Sequence, residues 1–276
     1  MTMTSLLIFG FSILAGIVGA MLGLGGGIIL VPLLTLGFGV PMRTAVAAST
    51  VSIIATSTGA AISYLSERLS NVRVAMWLEM GTATGSLTGA LVAAYLSPRL
   101  LSLLFGGLLA FSAVNMFRTR HHELPHGVKP DAISRRLRLG GVFEDRVAGV
   151  SVPYEVTNSL PGLGLMYISG AAAGLLGIGA GVFKVPAMDQ VMKLPFKVST
   201  ATSNFMIGVT AASGAIVYFV RGDVDPALTA PVVLGVLLGA LLGSRFLLRL
   251  KSSFVKKLFV PVVAYTAFIM IYKGLR

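Results

Sequence analysis

No cysteine occurs in the 276 residues. Disulfides, thiolate metal sites and thiol relays are thereby excluded, and cysteine usage gives no sign of the redox compartment. Charge is sparse as well: 12% of residues are charged, and only 10 are acidic. Catalytic signatures are missing too. There is no Walker loop, nucleophile elbow or paired-histidine zinc motif, so no ATP-driven pump and no enzyme site is expected on this chain. No lysine or arginine precedes the first apolar run, which lacks the basic region of a signal peptide and is expected to stay. The short alternating segments of a membrane β-barrel are also absent.

Long apolar blocks stand in their place. The composition is 55% hydrophobic, with mean hydropathy +0.88. Apolar runs cover 5–22, 28–38, 44–65, 72–96 and 100–117. A polar, basic stretch follows from Arg118 to about Asn158, and the pattern then restarts at 160–176, 182–192, 198–220, 227–248 and 254–272. Several runs reach the ~20 residues that cross a hydrocarbon layer of ~30 Å. The fold class is an all-α membrane protein in three parts: an N-terminal transmembrane repeat 1–118, a basic loop 119–158 and a C-terminal transmembrane repeat 159–276. The net charge of +12 lies largely in loops and at helix ends, where it sets orientation and meets anionic lipid. The bilayer, not nucleic acid, is the expected partner of that charge.

The two repeats are copies. "LGLGGGIILVP" from Leu22 to Pro32 recurs as "LGIGAGVFKVP" from Leu176 to Pro186, an offset of 154 positions. The same offset carries Pro41 to Pro195, Arg43 to Lys197, Ser49 to Ser203, Thr56 to Thr210 and Tyr64 to Tyr218, with no gap. It also carries Gly81, Gly85 and Gly89 onto Gly235, Gly239 and Gly243, which read as helix-packing positions. The positive-inside rule puts the central loop in the cytoplasm. If the second repeat is inverted, Lys193, Lys197, Arg249, Lys251, Lys256 and Lys257 also fall inside; a parallel repeat would put all six outside. Inverted topology is the expectation.

The glycine run has a physical reading. Run 28–38 is long enough as a helix to cross only about half the bilayer, at ~1.5 Å per residue. A glycine-broken short segment at matching places in two halves points to a transporter site near the midplane. Glycines there let the chain leave one helix, turn, and start a half-length helix whose free N–H groups and dipole favour an anion. Gly25, Gly26, Gly27, Gly179, Ala180 and Gly181 are therefore candidate substrate-binding positions.

These motifs resemble the sulfite exporter TauE/SafE family of bacterial anion transporters. "GLGGGIILVP" and "GIGAGVFKVP" are each followed by Pro41 or Pro195 and then by the small, polar helices "AVAASTVSIIATSTGAA" and "STATSNFMIGVTAASGA". The resemblance spans nearly all of the chain outside the central loop. It implies secondary transport of sulfite or organosulfonates such as sulfoacetate, outward and proton-coupled, across the bacterial cytoplasmic (inner) membrane. No cofactor is implied. The second copy departs from the first with Ala180 in place of Gly26 and with Lys184, Asp189 and Gln190 in its half-helix. Unequal contributions from the halves are expected.

Four polar side chains are candidates to stand beside the anion: Ser49, Thr50, Ser203 and Asn204. Hydroxyls and an amide donate to sulfonate oxygens without adding a competing charge. Ser52, Thr56 and Thr210 are expected instead to bond helix carbonyls. Lys184 and Glu79 are ionisable residues within apolar runs and are candidates for charge or proton coupling. His121, His122 and His126 lie in a solvated loop without cysteine, and no metal site is expected there. Two readings of other classes stay open: a passive anion channel, and a membrane anchor for a soluble partner. Oligomeric state is not legible, because small-residue faces pack equally well within and between chains.

Overall fold

A computed structural model describes residues 3–22, 25–66, 69–118, 127–145, 150–179, 181–249 and 252–275. The first half runs α1 (Met3–Leu22), α2 (Gly27–Pro32), α3 (Met42–Ser66), α4 (Val72–Ala93) and α5 (Pro98–Arg118). The second runs α7 (Ser159–Leu176), α8 (Gly181–Pro186), α9 (Phe196–Val220), α10 (Pro226–Arg249) and α11 (Ser252–Leu275). Between them lie α6 (Ala132–Leu137) and an antiparallel pair, β1 (Gly141–Asp145) and β2 (Val150–Tyr154). Among the described residues, five helices are long and apolar enough to cross a membrane; they belong to α1, α3, α7, α9 and α10. The chain is an all-α, multi-span membrane protein.

Local chemistry sets the ends. Asn71 caps α4 by accepting from the Val74 amide at 3.1 Å. Proline opens α5 and α10, where its missing N–H costs the helix nothing. The short α2 and α8 each end on proline and continue as a π-helical turn, Leu33–Gly37 and Ala187–Val191. Proline removes one ladder bond, and Thr35 Oγ1 donates to the carbonyl of Val31 at 2.8 Å across the first of these turns.

Glycine lets the halves interlock. A Cβ on Gly85 would stand 2.2 Å from the Tyr167 carbonyl oxygen, and one on Gly89 2.0 Å from that of Ala171, so α4 and α7 run parallel in backbone contact. Gly239 and Gly243 meet the carbonyls of Ile13 and Ile17 at 2.1 and 2.3 Å in the same sense, joining α10 to α1. Each of these contacts therefore has a counterpart with the two halves exchanged. The matched helices α5 and α11 also pack together, and they run antiparallel: Gly106 faces Ile271 and Ala267, while Gly274 faces Leu103. At the centre, α3 packs on α9.

The central segment, read from sequence as a solvated loop, is in part a folded unit. Leu139, Phe143, Tyr154 and Val156 are buried and continuous with the main core. Asp131 caps α6 through Ser134 N at 2.6 Å and also accepts from the amide (2.6 Å) and hydroxyl (3.0 Å) of Ser159, where α7 starts. Burial opposes ionisation of Asp131, but the donors from Ser159, Ser134 and Ile133 outweigh it and hold the carboxyl below its ordinary range. Asn71 Nδ2 donates to the Leu139 carbonyl at 2.7 Å and the Tyr154 hydroxyl at 2.9 Å. His121, His122 and His126 lie outside the described residues.

Candidate functional site

The glycine turns abut one another. Gly25 and Gly26 have φ of 76° and 78°, and Gly179 has 72°, a left-handed backbone that only glycine adopts freely. Gly26 is the N-cap of α2, its carbonyl accepting from Ile29 N at 3.0 Å and Leu30 N at 3.1 Å. The amides of Gly27 and Ile28 thus fall outside the helix's own ladder. A Cβ on Gly27 would stand 2.4 Å from the Gly177 carbonyl oxygen and 2.8 Å from Ser49 Oγ. Gly181 opens α8 and is buried. Ala180 and Gly23 lie outside the described residues.

The four polar candidates are buried, and one of them bonds a glycine turn directly. Ser49 Oγ donates to the Gly177 carbonyl at 2.6 Å. Thr50 Oγ1 donates to Val46 O at 2.8 Å and stands 3.0 Å from the Cβ position of Gly177. Asn204 occupies the position matching Thr50 and reaches the other way, its Nδ2 donating to Ala20 O at 2.9 Å and Thr200 O at 3.2 Å. Asn204 Oδ1 is buried and accepts no hydrogen bond from the described residues. Ser203 is fully buried beside it. In this conformation the protons of Ser49, Thr50 and Asn204 are engaged on backbone carbonyls, three of them at or next to the glycine turns or the helices leading into them.

Lys184 and Glu79 come together. The lysine, on α8, is 0% exposed, and its Nζ donates to Thr210 Oγ1 on α9 at 2.5 Å. Thr210 Oγ1 in turn donates to Glu79 Oε1 on α4 at 2.7 Å. Nζ lies 3.9 Å from Glu79 Oε2, with the glutamate side chain 12% exposed. A buried ammonium is tolerable only with a paired charge and hydrogen bonds, and this chain of three residues supplies both. Thr210 sits one helical turn from Ile207, whose Cγ2 is 3.1 Å from the Cβ position of Gly25. The ion pair is thus built next to the glycine turn.

Reading the sequence assigned Thr210 only a bond to its own helix. It has that contact, with Met206 O at 3.1 Å, but it also bridges the two charges. A usable signal was present. Lys184 and Glu79 carry opposite charge inside apolar runs of different halves, and such residues pair with one another. The matching positions of the other half hold Leu30, Thr56 and Val233. Leu30 is buried in an apolar cluster with Val232 and Val236, and Thr56 Oγ1 turns to Ser52 O at 3.3 Å. The paired charges therefore have no charged counterpart at the matching positions of the other half.

Among the described residues, no group of three or more His, Cys, Asp or Glu residues could hold a metal ion. Comparison with known proteins fits this architecture. The chain is 26% identical over 270 residues to the probable membrane transporter protein YunE of Bacillus subtilis, covering 95% of this chain and 96% of that one. It is 28% identical over 235 residues to the probable membrane transporter protein YdhB of the same organism, covering 84% and 86%. A probable membrane transporter of Methanocaldococcus jannaschii, MJ0441, is 26% identical over 219 residues, covering 77% of this chain and 71% of that one. No solved structure matches the chain. The model of one family, the sulfite exporter TauE/SafE family, matches residues 8–270. The chain is accordingly a membrane transporter, and it belongs to the sulfite exporter TauE/SafE family.

Proposed function

We propose that the protein is a secondary transporter of small sulfur-containing anions, sulfite or organosulfonates such as sulfoacetate, working by alternating access with proton coupling and exporting them across the bacterial cytoplasmic membrane. The observation that carries this reading is the buried Lys184 held against Glu79 through Thr210 beside a broken helix. A positive charge kept inside the bilayer is a reason for an anion to enter it, and the adjacent carboxylate is a proton acceptor.

The anion lies between the two glycine turns, against the backbone of Gly25, Gly26 and Gly27 and of Gly179, Ala180 and Gly181. Ser49, Thr50, Ser203 and Asn204 stand alongside. The abutting turns and the buried side chains support this assignment. The glycines give up helix stability to bring backbone donors to the ligand. Opening requires the hydroxyls of Ser49 and Thr50 to leave their carbonyls, so the same groups serve as latch and as ligand donors.

The two halves are inverted repeats that rock against each other. Support comes from α5 and α11, matched elements that pack antiparallel. A twofold axis that relates antiparallel spanning helices lies in the membrane plane, which is the inverted arrangement. The basic central unit then faces the cytoplasm.

The test is anion flux in proteoliposomes of the purified protein, comparing sulfite, sulfoacetate, thiosulfate and sulfate with and without a pH gradient. Selective, saturable and gradient-sensitive flux is expected. Unsaturable flux that follows only the electrochemical gradient would make the protein a channel. Folded protein that moves none of the four would overturn transport of this substrate class.

A further inference from the structure

The paired charges carry a stoichiometry. Lys184 has three ammonium protons and one hydrogen-bond acceptor among the described residues, Thr210 Oγ1. Glu79 Oε1 is held by the Thr210 hydroxyl, while Oε2 is buried and accepts no hydrogen bond from the described residues. The ion pair is therefore only half made, at 3.9 Å and bridged by a hydroxyl. The lysine keeps donors for another ligand.

We propose that Glu79 is the resident counter-ion of Lys184 in the empty carrier, that the transported anion replaces it, and that each singly charged anion therefore travels with one proton in the same direction. The proposal rests on the anion-transport reading above and supplies its coupling. The reason is electrostatic. Charges buried in a low-dielectric interior must nearly cancel. The empty site holds one ammonium and one carboxylate and is neutral. Adding a singly charged anion leaves a buried negative charge unless Glu79 takes up a proton. The proton adds to a carboxylate oxygen, Lys184 stays an ammonium, and no other bond changes. A hydroxyl bridge suits this exchange. Once Glu79 is a neutral acid, the Thr210 proton has a second acceptor in Met206 O at 3.1 Å.

Two further observations limit the count to one. The matching positions of the other half are Leu30, Thr56 and Val233, with no ionisable group. Among the described residues, Lys184 and Glu79 each form an ion pair with no charged group but the other. The packed elements bring other titratable groups, but not to this point. On α7, Tyr167 has its hydroxyl 3.3 Å from Thr88 Oγ1. On α9, Tyr218 donates to Gly174 O at 2.6 Å, and Lys197 and Arg221 lie at the helix ends. Asp189 lies beyond Pro186, in the π-helical turn. On the α5 side, Phe111 meets Phe183 with ring centroids 5.4 Å apart.

The experiment loads proteoliposomes of the full chain with sulfite and a pH dye, and follows sulfite and proton movement with the membrane potential clamped. Bisulfite brings its own proton, so the quantity read is the difference in protons per sulfite between the wild type and Glu79→Gln. A fall of one proton per anion in the variant is expected, with wild-type protons moving alongside the sulfite. Lys184→Met is expected to lose at least tenfold in flux. Sulfite flux by the wild type with protons moving the opposite way, or with a proton count that Glu79→Gln does not change, overturns the coupling and leaves the transporter reading standing. Should Glu79→Gln fail to fold, proton uptake by the detergent-solubilised wild type on adding sulfite gives the same answer. More uptake than free sulfite itself accounts for supports the proposal, and none overturns it. No wild-type flux of any sulfur anion overturns both readings.

Discussion

Ile53 and Ile207 occupy equivalent positions in the two halves and close over the same glycine. Their Cγ2 atoms lie 3.2 and 3.1 Å from where a Cβ on Gly25 would stand, and with Ala211 they form a small apolar cluster between α3 and α9. The symmetry of the sequence thus converges on the glycine turn. Gly25→Ala puts a methyl group between them on a left-handed backbone, which costs about 1 kcal/mol before any contact is counted. Gly27→Ala is the harsher change, because its neighbour at 2.4 Å is a backbone carbonyl that no rotamer can clear. Sulfite flux should fall several-fold for Gly25→Ala and vanish for Gly27→Ala, with a lowered melting temperature in detergent for the latter. Gly10→Ala, whose Cβ meets nothing within 4 Å, should leave both readouts unchanged. Equal effects at all three positions would remove the close approach as the reason for the glycines.

Lys184 invites replacement by what the other half uses. Lys184→Leu copies Leu30 but leaves the Glu79 carboxylate largely buried without a counter-charge, a change that typically costs about 3–5 kcal/mol. Adding Glu79→Val, the residue at the matching position 233, removes the orphaned charge. The double variant should recover most of the melting temperature lost by the single one, yet carry no sulfite. Recovery of flux along with stability would show that the pair is only structural.

The packing glycines predict equal injury in the two halves. Gly85→Ala drives a methyl into the Tyr167 carbonyl and Gly239→Ala into that of Ile13, with Cβ positions at 2.2 and 2.1 Å. Overpacking of this kind costs about 1–3 kcal/mol. Melting curves should shift by similar amounts for the two variants. A large shift for only one would mean that the exchanged contacts are not equivalent in strength.

The sequence was informative where periodicity and repetition carry the signal. The apolar runs match the long helices to within a few residues, because a helix crossing a bilayer must be apolar for most of its length. The glycine break was legible because Gly25 to Gly27 put three successive poor helix formers inside an apolar run. What stayed hidden depended on three-dimensional pairing. Glu79 and Lys184 are 105 positions apart in the numbering, and nothing in local pattern says that Thr210 stands between them. The central segment reads as a solvated loop by composition, yet part of it is buried. Its buried Leu139, Phe143, Tyr154 and Val156 are scattered through a basic stretch, too short and irregular to show a period.

That central unit makes the last prediction, because Asp131 ties it to the first turn of α7. The carboxyl accepts from Ser134 N and from both donors of Ser159, and its ionised form is favoured in the folded state. A carboxyl held low contributes its stability in full above the ordinary aspartate value of about 3.9, and loses it as pH falls through the folded-state value. Docking of the unit should therefore be constant from neutral pH down to about 4, and weaken below it. Asp131→Ala removes a helix cap as well as the tie, at a cost of about 1 kcal/mol or more. Hydrogen–deuterium exchange gives the readout. At pH 7 the amides of Ser134 and Ser159 should exchange several-fold faster in the variant than in the wild type, while those in the middle of α7 hold their rate. Acidification should bring the wild type toward the variant. Unchanged exchange at Ser159 in the variant would mean that α7 keeps its first turn without Asp131, and that Trp77, whose Nε1 donates to Ser159 O at 3.2 Å, is the stronger anchor.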